Sequence, residues 1–193
     1  MKNNAIQSNN PKIGCLSIIL LFLAVSQVFS QTELTLKDLV VNSSDIAIVQ
    51  VKSKTSHWDT DRTRIYSEVD LEVIEKIQGE LKKGDTFKIF HIGGSIDGIT
   101  TAVLEMPSLV EGRQSVLFLN KRQSDTYGDH YTIHGMNQGA YDISTTDRGI
   151  QNITRHNMNR SLRLEKNGPL LSLSDTNAMS IQEFLSYIRL YSH

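Results

Sequence analysis

Apolar and acidic side chains alternate through Glu68-Val69-Asp70-Leu71-Glu72-Val73, inside the longer run Tyr66–Glu75. A period of two marks a half-buried strand, here with a wet acidic face. Around it stand further short runs with strand composition. Ile46-Ala47-Ile48-Val49-Gln50-Val51 reads as a buried strand from its β-branched content, and Ser115-Val116-Leu117-Phe118-Leu119 reads as more buried still. Thr86–Ile92, Thr100–Met106, Tyr131–Ile133 and Ala140–Ile143 complete the series. Turn residues separate them: Asn42-Ser43-Ser44-Asp45, Lys82-Lys83-Gly84-Asp85, Gly93-Gly94 and Glu111-Gly112. His57–Arg62 is expected to be a polar connection. Six or seven such strands predict a mainly β, antiparallel barrel or sandwich.

Helices are expected only at the edges of that series. Leu36, Leu39 and Val40 fall on one side of a turn or two of helix over Thr35–Val41. Ser180 and Glu183 fit a capping box, and Ile181, Phe184, Leu185 and Ile188 follow the spacing of an amphipathic helix that docks on the barrel. Between the two regions, residues 144–179 are polar with little periodicity and are expected to form an irregular arm. The expected organisation is thus 1–30 leader, 31–143 β-barrel domain, 144–179 arm and 180–193 helix.

The leader has the pattern of a secretory signal peptide. Lys2 and Lys12 precede an apolar stretch from Ile13 to Val28, and Val28-Phe29-Ser30 offers small residues for cleavage before Gln31. The stretch is shorter than the roughly 20 apolar residues a membrane span needs, and Ser26 and Gln27 interrupt it, so no stable span is expected after cleavage. Periplasm, cell surface and medium all fit such a leader. Residues 1–30 hold two of the 20 basic and none of the 21 acidic residues, so the mature chain carries 18 against 21. That balance lacks the basic footprint of a nucleic-acid binder, and none is expected as partner. Cleavage also removes Cys15, the single cysteine, and with it any disulfide or thiol chemistry.

The candidate sites are loops. Trp58, the only tryptophan, is either a cap on the barrel end or an exposed anchor. It neighbours His57 and the pair Asp59-x-Asp61, which opens like a calcium loop. An EF-hand needs glycine and glutamate where this chain has Arg64 and Asp70, so a solvated hairpin loop is the better reading. Gly93-Gly94-Ser95-Ile96-Asp97-Gly98 matches neither phosphate-binding fingerprint and reads as a sharp turn or bulge. His130 and His134 bracket a strand and would stand about 13 Å apart, too far to share one ion. No metal or cofactor is expected. The expected ligand-binding residues are His57, Trp58, Asp59, Asp61, His91 and Asp97.

Taken in order, Ser44–Val51, Trp58-Asp59, Ile65-Tyr66, Val73–Gly79, Gly93-Gly94, Asp97-Gly98, Pro107, Glu111-Gly112, Val116–Leu119 and Gly135–Gly139 resemble an uncharacterised family of secreted bacterial domains, some found beside matrixin-type zinc proteases. More distantly, they resemble the netrin-like module of tissue inhibitors of metalloproteinases, and the resemblance covers about residues 36–143 plus the terminal helix. The resemblance implies an OB-like barrel. It does not carry over the inhibitors' chemistry, which uses an N-terminal cysteine, and the matrixin zinc motif is absent too. The resulting expectation is a non-enzymatic module that binds a secreted protein, for example a protease, or an envelope component. The alternatives are a hydrolase that brings His57, His91, Asp59 or Asp97 into one pocket, and a structural or adhesive envelope component.

Overall fold

The computed structural model describes residues 33–103, 105–125, 127–155 and 179–192, all within one compact unit, Glu33–His193. The expected leader and residues 156–178 of the expected arm lie outside the described residues. The chain is mainly β. It opens with α1 (Leu36–Val41), followed by β1 (Asp45–Trp58), β2 (Ile65–Gln78), β3 (Thr86–Ile92), β4 (Gly94–Ile96), β5 (Ile99–Thr101), β6 (Gln114–Ser124) and β7 (Gly128–Ile133). A 3-10 turn at Met136–Gly139 leads to β8 (Ala140–Thr145), β9 (Gln151–Arg155), β10 (Met179–Ser180) and α2 (Ile181–Tyr191).

The sheet runs β1-β2-β3-β7-β6-β8-β9-β10, and β6 also pairs with β1. Five strands therefore curl into a partly closed, barrel-like ring. All ring pairings are antiparallel except β3–β7, a parallel seam held by one bridge, Ile89↔Tyr131. Burial on both faces explains why β1 and β6 read as continuous apolar runs. Ala47, Val49, Val51, Leu117 and Leu119 join Val69, Leu71, Val73, Ile89 and Tyr131 in the ring interior. Ile46, Ile48, Val116 and Phe118 point the other way, under the helices. One buried strand thus serves two cores.

The second core is built by the ends of the chain. α1 buries Leu36, Leu39 and Val40, and its N-cap Thr35 forms a reciprocal capping box with Asp38. α2 buries Ile181, Phe184, Leu185 and Ile188, the four residues its spacing selects. Ser180 Oγ caps it by accepting from the Glu183 N–H. Phe184 packs 4.7 Å from the Tyr141 ring, centroid to centroid, and meets Phe118 edge-on.

Three expectations change. β1 continues through His57 and Trp58, because the ladder to β2 holds as far as Trp58↔Ile65, and the turn is confined to residues 59–64. Thr100–Met106 is not one strand: only Ile99–Thr101 pairs, with Gly94–Ile96. The segment expected to be irregular starts as regular sheet, since β9 pairs with β8 across the Thr146–Gly149 turn and buries Ile153.

Candidate functional site

Two loops meet at one end of the ring. In the β1–β2 turn, Asp59 accepts hydrogen bonds from the Thr63 and Arg64 amides at 2.7 and 3.1 Å and from the Thr63 hydroxyl at 2.8 Å. These donors, the Arg64 amide foremost, hold its carboxyl below the usual range. Asp59 thus closes its own loop; Asp61 is exposed beyond it. β4 and β5 form a second hairpin through Asp97-Gly98, both with positive φ (54° and 76°), the backbone of a tight two-residue turn. The Trp58 indole donates to Asp97 Oδ2 at 3.2 Å, so the hairpin tip is tied to the end of β1.

The hairpin root sits on serine hydroxyls. Ser67 donates to the Gly93 carbonyl at 2.7 Å, and Ser56 accepts from the Ser95 amide at 3.1 Å. A Cβ on Gly94 would collide with both hydroxyls, so only glycine allows this approach. Ser56 pairs with Ser67 and Ser67 with His91, which makes the three one row across β1, β2 and β3. His91 is 8% exposed. Its Nδ1 lies 3.3 Å from the Ile92 carbonyl, and its Nε2 is buried with no hydrogen-bond partner. Burial, reinforced by the charge of Lys54, pushes this imidazole below its ordinary value; burial lowers Lys54 as well.

The outer face of the same strands is aromatic. His57 stacks on Tyr66 with ring centroids 5.3 Å apart, Tyr66 meets Tyr127 edge-on at 6.2 Å, and Tyr127 stacks on Phe90 at 4.4 Å. His130 closes the group against Phe90 and Tyr127. Ile92, paired with Tyr66, extends the stripe with 51% of its surface exposed, and Tyr127 is 42% exposed. Toward the far end of this face the side chains become charged and pair among themselves. Lys52 binds Glu72 at 2.8 Å, and Lys88 binds Glu68 and approaches Asp70.

The structure therefore brings together some of the expected site residues and separates others. Trp58 and Asp97 touch, while Asp59 and Asp61 stand in the adjoining turn. His57 lies on the outer face, and His91 lies one register step away, on the opposite face. Of the groups named for the hydrolase alternative, His57 and His91 therefore stand on opposite faces of the sheet. Among the described residues, no group of three or more His, Cys, Asp or Glu side chains is placed to hold a metal ion, and no helix is long and apolar enough to cross a membrane.

Tyr66, Phe90, Ile92 and Tyr127 were not singled out by sequence reasoning. A signal was present. Lys88 must face water, and alternation then places Phe90 and Ile92 beside it, with Ile89 and His91 inside. No family model, no curated protein and no solved structure matches this chain.

Proposed function

We propose that the chain is an exported, non-enzymatic binding module whose partner is a secreted protein, such as a protease, or a component of the cell envelope. The observation that carries this reading is the aromatic stripe His57, Tyr66, Phe90, Tyr127 and His130, continued by exposed Ile92. A sheet face turned to solvent is ordinarily polar, and clustered exposed apolar side chains are what partner surfaces are made of. Aromatic anchors dominate such surfaces, because each ring buries about 150–250 Å² on contact.

Part of the cluster has a duty within the fold. Phe90 against Tyr127 and His130 covers the β3–β7 seam, which has one backbone bridge. The stripe continues past that seam, across β2 to His57 on β1, where the ladder is continuous and no such support is needed. Export rests on the N-terminal pattern, and the protease-type partner on the resemblance to netrin-like modules.

Co-sedimentation of the purified mature chain with the native envelope fraction, and co-purification from the native medium, test the reading. Replacing Tyr66 and Ile92 with serine leaves the seam aromatics in place. The double variant is expected to lose about tenfold or more of the retention shown by the parent chain. Retention equal to the parent would remove the stripe as the binding face.

A further inference from the structure

β5 is hydrogen-bonded on one side only. Its partner there is β4, and among the described residues no strand pairs with its other edge. Strand parity identifies the groups this leaves open. Asp97 and Gly98 form the two-residue turn, so Ile96↔Ile99 exchanges both hydrogen bonds and Ser95↔Thr100 exchanges none. The Ser95 amide accordingly points away from β5, to Ser56 Oγ. By the same alternation the Thr100 N–H and C=O point away from β4, to the open edge. Ile99, Thr100, Thr101, Ala102 and Val103 are all exposed along it.

Exposed strand edges are ordinarily guarded by charge, proline or short length. Other edges of this molecule are guarded. β10, at the end of the large sheet, is two residues long. β1 parts from β6 after Gln50, and its edge is then capped. Val51 bonds the Gly112 amide and the Arg113 carbonyl, and the Lys54 amide donates to the Glu111 carboxylate. The run Ile99–Val103 has no charge and no proline, and every residue but Ala102 is β-branched, which favours extended backbone.

We propose that this edge pairs two copies of the chain, β5 against β5, antiparallel about a two-fold axis, joining the two hairpins into one four-stranded sheet. Such an axis places each residue of the edge opposite one drawn from the same run. A charged run would therefore set like charges against each other, whereas an uncharged one is complementary to itself. With Thr100 opposite the partner's Thr100, the two exchange both hydrogen bonds and satisfy the outward N–H and C=O. In that register the flanking acids, Asp97 and Glu105, are not set opposite each other. So short a contact lies below the roughly 1,200 Å² of a stable interface, and the pairing is weak and reversible. It does not depend on what the aromatic stripe binds.

Sedimentation equilibrium of the purified mature chain, from about 10 µM to about 1 mM, tests the pairing. The average mass of the parent is expected to climb toward twice that of the monomer. Thr100→Pro removes the outward N–H and leaves the β4 ladder intact, and it is expected to weaken association about tenfold or more. Thr100→Lys and Thr100→Glu each set like charges face to face and should weaken it about fivefold or more. An equimolar mixture of those two variants should restore it, which only this juxtaposition of Thr100 with its counterpart explains. Tyr66→Ser, on the stripe, should associate as the parent does. A parent that stays monomeric throughout, a mixture that associates no better than either charged variant alone, or association lost in Tyr66→Ser and kept in Thr100→Pro would each overturn the pairing.

Discussion

Asp45 opens β1 with its carboxylate almost entirely out of water and accepts from the Glu80 amide at 2.6 Å, the Leu81 amide at 2.9 Å and the Ser44 hydroxyl at 2.9 Å. It thereby ties the start of the first strand to the turn after the second. Gly79, with φ of 96°, lies so close that any Cβ there would strike Asp45 and the Ser44 carbonyl. Replacing Asp45 with alanine strands a buried amide and is expected to cost about 3 kcal/mol in a urea titration, because bonds to charged acceptors are the strong ones. Gly79→Ala is expected to cost about 2 kcal/mol through strain and collision. An unshifted midpoint in either variant would contradict this reading of the junction.

His91 makes a pH-dependent contribution whose sign follows from its environment. Burial, with Lys54 adding to it, holds the folded value below the ordinary 6.5. Above that ordinary value the ring is neutral in both states. As the pH falls through it, the unfolded chain takes up the proton first, so stability is lost until the folded ring also titrates. Urea midpoints of the parent should therefore fall relative to those of His91→Gln between about pH 7 and pH 5. Parallel curves would show that His91 is not held neutral.

Among the elements, the two helices are small but close the second core. Phe184 is fully covered and touches the rings of Phe118 and Tyr141, so Phe184→Ala is expected to cost about 3–5 kcal/mol, measured by thermal or urea unfolding. Thr35→Ala removes one side of the capping box on a six-residue helix and should cost about 1 kcal/mol. Both helices were legible because their apolar spacing and caps are local signals. β2 was legible because one of its faces is wet and the other dry. β1 and β6 were recognised as buried, but a run apolar on both sides does not say which residue faces which core; that is fixed by the ladder register, which sends alternate residues to the ring interior and to the helix-covered side. The β4–β5 hairpin was present in the sequence as Asp97-Gly98 between Ile96 and Ile99, yet the glycines before it suggested only a turn. The site was half legible: the loops bearing Trp58 and Asp97 do meet, whereas His57 and His91 are parted by strand parity, which depends on register.

At the scale of the whole molecule, one ring of strands presents three different surfaces. Its interior is apolar until the Ser56–Ser67–His91 row. Its flank is covered by α1, α2 and β8–β9. Its remaining outer face carries the aromatic stripe, ending at the two joined loops. The central claim is that this last face is covered in the native setting. The most direct measurement uses the near absence of cysteine from the chain. In a Cys15→Ser background, single substitutions Tyr66→Cys and Ile92→Cys on the stripe, and Leu190→Cys on the exposed side of α2, are labelled with a maleimide. Labelling is compared between native envelope or medium and the purified protein. The account predicts stripe positions labelled about tenfold more slowly in the native material, with Leu190→Cys unchanged. Equal labelling rates at all three positions would contradict it.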